Sequence, residues 1–275
     1  MILDSLRGRL KRDPLTPHFT FTQLMRDRIE SDLFKEILRL RYEVYCIECK
    51  YLDAREYDEG IESDEFDVRS FHVGANNLDG VLVGTVRLVF ADATELFPFE
   101  EHCKVFEDFD FPTRTQCAEV SRLVVRKSFR RRPGDSLQGV SREFQEKGKV
   151  ENITPVKEGG SATHRRSGSS PQILLGMYRE MYRYSRRNGI RYWFAAMEKG
   201  LARSLGKMGF HFVAVGPEGD YYGPVAAYVV DLWKLNDNLR RVNEFLACWF
   251  NDEPISAWLM LKTWIRFKVI QRGKL

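Results

Sequence analysis

The sequence predicts an α/β (α+β) fold, a mixed central sheet flanked by helices, on three observations. Strand-like and helical segments follow one another in the order β-β-β-loop-α-β-α-β-β. The 275 residues are 43% hydrophobic and 13% aromatic, which is enough for a large core. The end of the chain shows helical spacing. We therefore expect an N-terminal extension at 1–29, a sheet domain at 30–232 with a flexible insertion at 133–170, and an amphipathic helical C-terminal extension at 233–275.

Charge and cysteine content narrow the class of protein. The net charge of +4 is too small to predict a nucleic-acid-binding protein. The start of the chain lacks the apolar segment of a signal peptide, and no apolar run is long enough to span a bilayer, so we predict a cytoplasmic protein, with the inner membrane surface open as a peripheral location. Five cysteines indicate reduced thiols, and Cys46 with Cys49 is interpreted as packing, with no metal site expected.

A helix is predicted at 30–45 from residues that recur four, three and four positions apart. These are Phe34, Leu38, Arg41 and Tyr45. Arg41 thus lies on an apolar stripe, which favours a guanidinium paired with a buried carboxylate over a surface side chain. The next segment, 58–67, has six acids in ten residues and supplies such carboxylates.

A hairpin follows the acidic segment. Phe71 and Val73 alternate with polar neighbours, 76–80 has turn chemistry, and 81–90 is a long second strand. Arg87 shares its face with valines and a threonine, so it is a second cation on an apolar side. We expect Arg87 to join Arg41 and the acidic segment in one ionic network.

The segment 119–132 is predicted to be a buried strand that ends in a basic run. A buried strand holds Glu119 and Arg122 only if each has a partner. The basic run consists of Arg126, Lys127, Arg130, Arg131 and Arg132. It would bind an anion or an acidic protein surface, and a solvated turn is the alternative.

The second half of the chain completes the sheet. A helix is predicted at 170–187 and strands at 190–197, 210–215 and 226–232, with a short helix that ends at Gly209. In the C-terminal extension, aromatic and aliphatic residues interleave with cations. Packing on the domain is one interpretation, and contact with an anionic membrane surface is the other.

Four ordered motifs resemble those of acyl-homoserine lactone synthases, within the GNAT acyltransferase superfamily. They are Arg41-Tyr-Glu-Val-Tyr45, Glu62-Ser-Asp-Glu-Phe-Asp67, Gly84-Thr-Val-Arg-Leu88 and Glu119-Val-Ser-Arg122. Further matches resemble the PEP-CTERM/exosortase-associated acyltransferases, a group similar to long-chain N-acyl amino acid synthases. These are Phe129-Arg-Arg-Arg132, Met197-Glu198, Gly209-Phe-His-Phe212 and Tyr222-Gly223. The resemblance implies the GNAT fold for about residues 30 to 232.

The resemblance also implies the site residues. The catalytic set would be Glu119, Arg122, Asp64 and Arg87. The substrate-binding set would be Arg41, Glu62, Asp67, Leu123, Val124 and Val125, and the aromatic pair Trp193 and Phe194 is expected beside them. For Arg41, Asp67 and Arg87, a salt bridge that only stabilises the fold is the alternative.

The implied reaction is attack of an amine on an acyl thioester, which needs a proton acceptor, an oxyanion donor and a slot for the pantetheine arm. We expect Glu119 to accept the proton through a water, and a backbone N–H of 123–125 to bind the oxyanion. Strict alternation would place Glu119 and Arg122 on opposite faces of the strand. We therefore expect a bulge between them.

The basic loop departs from the pattern of GNAT enzymes that use coenzyme A, whose glycine-rich loop binds pyrophosphate through backbone N–H groups. Here the loop is Arg130-Arg-Arg-Pro-Gly-Asp135. This composition favours an acidic acyl carrier protein as the donor, with coenzyme A second. We expect an acyl-phosphopantetheine thioester as donor substrate, a small amino acid as acceptor, and no tightly bound cofactor.

The sequence thus predicts an N-acyltransferase of the N-acyl amino acid synthase type. Two alternatives stay open. One is an acyl-homoserine lactone synthase that takes S-adenosylmethionine as acceptor. The other is a catalytically idle GNAT-type binding module whose ionic network is purely structural.

Overall fold

The computed structural model describes residues 13–25, 31–129, 169–221 and 223–272. The strands are β1 (Phe19–Leu24), β2 (Ser70–Asn77), β3 (Leu82–Phe90), β4 (Cys117–Val125), β5 (Tyr192–Met197), β6 (Val213–Ala214), β7 (Gly219–Asp220) and β8 (Pro224–Asp231). The helices are α1 (Asp32–Tyr42), α2 (Pro98–His102), α3 (Ser169–Arg187), α4 (Lys199–Lys207), α5 (Leu232–Val242), α6 (Glu244–Phe250) and α7 (Ala257–Arg272). Most of the predicted insertion at 133–170 lies outside the described residues.

The strands form one mixed sheet in the order β1-β2-β3-β4-β5-β8-β6, and β7 pairs with β8. Strands β1 to β4 are antiparallel neighbours in chain order. Strands β4 and β5 run parallel, and helix α3 lies between them in the chain, as a parallel connection requires. The predicted mixed sheet flanked by helices is therefore confirmed.

Each face of the sheet is covered by a different apolar layer. On one face, α3, α5 and α6 pack on the main core, which includes Val86 and Trp193. On the other face, α1 covers one end, with Ile37 and Leu40 in its core. An aromatic cluster covers the other end of that second face, around Phe194.

The observed elements differ from the predicted ones in three places. Helix α1 ends at Tyr42 and continues as a π-helical turn, Glu43–Glu48, a form that is frequent at functional sites. Strand β1 was not predicted, although its sequence alternates Phe and Thr. The strand predicted at 210–215 is reduced to β6, because the N–H of Phe210 bonds to the carbonyl of Leu205 and so still belongs to the end of α4.

None of the helices in the described ranges combines the length and apolarity that crossing a bilayer requires.

Candidate active site

Arg41 enters the core from the last turn of α1. Ser31 caps this helix by accepting the N–H of Phe34 at 3.3 Å. The apolar stripe is buried, and the Arg41 side chain is buried with it at 1% exposure. The guanidinium is thus held in the position that the helical spacing predicts.

The acidic segment is docked on the sheet rather than solvated. Phe66 is buried beneath it, and two of its acids are fixed by the segment's own backbone. Asp64 accepts the N–H of Phe66 at 3.0 Å, and Asp67 accepts the N–H of Asp64 at 3.0 Å. This capping box orients both carboxylates independently of their contacts with the arginines.

Arg41 and Arg87 converge on the acids of this segment. Arg41 donates from Nε to Glu62 and from Nη1 to Asp67 at 2.7 Å. Arg87, on β3, donates from Nη1 to Asp64 and to Asp67, the second bond measuring 2.8 Å. Asp67 therefore joins the guanidinium of the helix to that of the sheet.

Strand β4 contains the bulge that alternation requires. Thr85 of β3 pairs with Val124, whereas Arg87 pairs with Ser121, so one extra residue lies between them on β4. Arg122 lies in this bulge with a φ of 50°, a left-handed conformation that is costly for a residue with a Cβ. The predicted bulge is confirmed.

The bulge turns the Arg122 side chain to the acidic segment. Its Nε donates to Glu62 at 3.0 Å and its Nη2 to Asp64 at 2.9 Å. Its guanidinium also lies 5.5 Å from the ring centroid of Tyr45, on the π-helical turn. These contacts offset the backbone strain, which explains why an arginine rather than a glycine stands in the bulge.

We call the six residues so joined the charge cluster: Arg41, Glu62, Asp64, Asp67, Arg87 and Arg122. It holds three guanidinium groups and three carboxylates. Burial opposes the charge on Arg41, but Asp67 and Glu62 outweigh it and raise the pKa of Arg41. Burial likewise opposes ionisation of Asp67, yet Arg41 and Arg87 hold the pKa of Asp67 well below its usual range. The cluster thus pairs three guanidinium groups with three carboxyl groups in the core.

Glu119 lies on the same face of β4 as Ser121 but outside this balance. Its side chain is 3% exposed and accepts the N–H of Phe99 at 2.8 Å. Burial raises the pKa of Glu119 to about 8, although the Phe99 N–H and the charges of Arg87 and Arg122 act in the opposite direction. A fourth carboxylate in this region has no fourth guanidinium to neutralise it, so Glu119 keeps its proton to near pH 8.

Strands β4 and β5 part at Glu119. Their ladder pairs Cys117 with Tyr192, Ala118 with Trp193, and Glu119 with Phe194. Strand β4 then continues to Val125, and its pairing with β3 continues to the same residue. The catalytic candidate thus stands where the sheet opens, and Leu123, Val124 and Val125 lie along the opened edge.

The aromatic pair of β5 is divided between the two faces. Phe194 lies on the face of the charge cluster and stacks at 4.8 Å on Phe111 and at 5.1 Å on Phe99. Trp193 lies in the core on the opposite face, where its Nε1 donates to Ser185 at 2.9 Å. The structure does not bring Trp193 to the site, because neighbouring strand residues point to opposite sides.

The basic run is described only in part. Arg126 donates from Nη1 to Glu43 at 2.8 Å and from Nε to the carbonyl of Leu82 at 3.2 Å, which fixes it at the end of β4. Lys127 is exposed. Arg130, Arg131 and Arg132, which the sequence predicts to bind the donor, lie outside the described residues.

Sequence reasoning missed several residues of the site. Ser121 accepts Arg87 Nε at 3.1 Å, and its position two residues after Glu119 was the available signal. His72 is buried, and its Nε2 lies 3.9 Å from Asp67 Oδ1. Burial lowers the pKa of His72 to about 4, so it is a neutral side chain next to the charge cluster. Phe99 lies in α2, which has five residues and is too short to show a helical repeat, and nothing in the sequence indicates its contact with Glu119.

The described residues contain no group of three or more histidines, cysteines or acids arranged to hold a metal ion. The site thus places the Glu119 carboxyl group beside the ordered guanidinium groups of the charge cluster, at the point where β4 and β5 separate. Such an arrangement can support proton transfer by the carboxyl group.

The mixed central sheet flanked by helices is a GNAT-like fold. Residues 40–138 match the family model described as Acetyltransferase (GNAT) domain. No curated protein sequence matches the chain.

Among solved structures, the chain is similar to acyl-homoserine lactone synthases. For the AHL synthase LasI, the TM-score is 0.52 at 16% identity, over 78% of this chain and 90% of that one. For the CoA-dependent synthase MesI, the TM-score is 0.53 at 18% identity, over 81% of this chain and 94% of that one. For the CoA-dependent synthase BjaI, solved with SAM and isopentyl-CoA, the TM-score is 0.52 at 18% identity, over 82% of this chain and 89% of that one. At these identities the likeness shows the fold.

Proposed function

We propose that the protein is an N-acyltransferase that moves a long-chain acyl group from an acyl carrier protein thioester to the amine of a small amino acid. One observation carries the proposal. The Glu119 carboxyl group is buried at the last β4–β5 pair, and its pKa is raised to about 8. A base with that pKa suits removal of a proton from an ammonium near pH 8.

The reaction balances with the groups present. The ammonium of the acceptor loses one proton to Glu119 through a water, and the free amine attacks the thioester carbonyl. A backbone N–H of Leu123, Val124 or Val125 stabilises the oxyanion. The C–N bond then forms and the C–S bond breaks. The second amine proton passes to the leaving thiolate, which gives an N-acyl amino acid and a pantetheine thiol.

The charge cluster orients the acceptor in this proposal. Arg87 donates hydrogen bonds from Nε to Ser121 and from Nη1 to Asp64 and Asp67. Its Nη2 is buried and has no hydrogen-bond partner in the described part of the chain. Such a donor suits the carboxylate of an amino acid. Glu62 and Asp64 hold Arg122 on the same face. Arg41 and Asp67 hold these acids and Arg87 in place.

An acyl carrier protein is the proposed donor, because the basic run has charge without the glycines of a pyrophosphate loop. The names of MesI and BjaI describe them as CoA-dependent. Acyl coenzyme A is therefore the donor against which the carrier is compared. The finer resemblance to PEP-CTERM/exosortase-associated enzymes stays a prediction.

The second candidate is an acyl-homoserine lactone synthase with S-adenosylmethionine as acceptor. The charge cluster favours it, since the motifs that resemble this family converge on one face of the sheet. Both candidates use the same base and donor. They differ in the acceptor and in one further step, in which the carboxylate of acylated S-adenosylmethionine displaces methylthioadenosine to close the lactone.

Mass spectrometry of lipid extracts from cells that express the protein tests the proposal, with Glu119→Gln as the matched control. We expect a long-chain N-acyl amino acid that is missing from the control. An acyl-homoserine lactone in its place would establish the second candidate. Neither product, from soluble protein supplied with acyl carrier and acyl coenzyme A, would leave the idle binding module.

A further inference from the structure

Helix α7 has an unusual composition for the surface of a protein. Its sequence, AWLMLKTWIRFKVIQR, is mostly aromatic and aliphatic. It contains four cations and no acid. The cations are Lys262, Arg266, Lys268 and Arg272. A helix that is apolar on most sides is normally buried in a core or in lipid.

This helix is nevertheless exposed. Trp258 is 71% exposed, and Met260, Leu261 and Ile265 are each close to half exposed at 46 to 47%. None of the α7 side chains that the structure describes is buried. Contiguous apolar side chains of this size mark a surface that another molecule covers.

The base of α7 is fixed to the domain. Asp252, in the turn before α7, accepts Arg179 at 2.7 Å and also accepts Arg183, both from α3. Glu253 accepts Arg240 of α5. Ser256 Oγ then caps α7 by accepting the N–H of Leu259 at 3.1 Å. The helix therefore projects from a tethered start.

The tether also sets the side on which α7 emerges. Helices α3, α5 and α6 cover the face of the sheet opposite the charge cluster. Helix α7 leaves from this layer, since its preceding turn is bonded to α3 and α5. Whatever covers α7 thus contacts the protein away from the charge cluster.

The charge pattern selects the partner. A second copy of the chain would place four cations against four cations, which is repulsive. An anionic bilayer attracts each cation by about 1 kcal/mol near its surface, and the aromatic and aliphatic residues enter the acyl boundary. We infer that α7 is an interfacial docking helix for an anionic lipid surface. The inference is independent of the proposed reaction.

Vesicle sedimentation with the full chain tests the inference. Vesicles that contain phosphatidylglycerol should bind the protein, and vesicles of phosphatidylcholine alone should bind it roughly tenfold less. The double variant Trp258→Glu with Ile265→Glu should lose binding, and Lys262→Glu should weaken it. Leu78→Glu is the matched control, because Leu78 is exposed to 54% in the β2–β3 turn. It should bind as the parent does.

The inference fails if both lipid compositions bind equally, or if the double variant keeps its folded melting transition and still binds. It also fails if sedimentation velocity without vesicles shows a dimer that Trp258→Glu abolishes, since a second copy would then cover α7.

Discussion

The backbone N–H of Phe99 lies 2.8 Å from Oε2 of Glu119 and donates to it. This donor favours the ionised carboxylate, whereas burial favours the protonated acid. Burial dominates, and the pKa of Glu119 is raised to about 8. The carboxyl group thus holds a proton at neutral pH and becomes an ionised base as the pH rises through about 8.

Glu119→Gln tests the base directly. Glutamine keeps the shape and an oxygen acceptor for the Phe99 N–H, so the fold should persist, while kcat should fall by ~10² to 10⁴. Steady-state kinetics and thermal melting measure the two effects. Glu101→Gln, at a half-exposed acid on α2, is the control. Full activity in Glu119→Gln would remove this residue from the reaction.

The raised pKa of Glu119 also predicts how stability depends on pH. The folded state retains a proton that the unfolded state has lost between pH 4.5 and about 8. The contribution of this group is therefore fully present below pH 4.5 and is lost as the pH rises to about 8, by about 1.4 kcal/mol for each pKa unit. The difference in unfolding free energy between the parent and Glu119→Gln, measured with urea, should therefore change across this range, since His72 and the other groups contribute to both proteins. Parallel curves would contradict the assignment.

Arg41→Ala should act on stability. The substitution leaves the three carboxyl groups of the cluster with only two guanidinium groups, Arg87 and Arg122, at a cost of about 3 to 5 kcal/mol. Urea midpoints measure it. Arg55→Ala, which breaks a fully exposed pair with Asp53, should leave the midpoint unchanged. A stable and inactive Arg41→Ala would show that Arg41 serves the reaction and not the fold.

Charge reversal tests the donor. Changing Arg130, Arg131 and Arg132 to Glu should raise the KM for acyl carrier protein and leave kcat at saturation nearly intact. The difference from the parent should shrink with salt, since exposed charges are screened over ~10 Å at 0.1 M. Arg186→Glu with Arg187→Glu, on the exposed end of α3, is the control for charge reversal elsewhere on the surface. Equal use of acyl coenzyme A and carrier, or an unchanged KM, would exclude carrier docking.

The two aromatic residues of β5 should separate in their effects. Trp193→Phe removes the indole donor to Ser185 and should cost about 1 kcal/mol without changing the product. Phe194→Leu alters the layer around Glu119 and should change the acyl or acceptor preference. Product profiles by mass spectrometry, beside melting curves, decide this. A changed profile in Trp193→Phe would contradict its placement in the opposite core.

The periodicity of single helices and strands was enough to predict that Arg41 and Arg87 belong to the charge cluster. Arg41 interrupts a helical stripe and Arg87 interrupts an alternating strand, and a cation in either place needs a buried acid. The bulge was predicted because Glu119 and Arg122 are three positions apart, which would place them on opposite faces of a regular strand. These predictions succeed because each depends on one element and its own repeat.

Contacts between elements could not be predicted in the same way. The hydrogen bond from Phe99 joins the short helix α2 to strand β4, and no repeat connects the two. Trp193 and Phe194 look alike within an uninterrupted apolar strand, and only the sheet shows which face each one occupies. The parting of β4 from β5 is likewise a property of two strands and is absent from either sequence.

The ion pairs of the charge cluster join residues between 20 and 60 positions apart in the chain. Closing such long loops is slow and costs entropy, so these contacts form late in folding. A nascent chain that has not yet added β4 contains Arg41, the acidic segment and Arg87 but lacks the third cation. Its three acids then outnumber its two arginines. Completion of the sheet thus adds the third guanidinium group, and an unfinished chain lacks the assembled charge cluster.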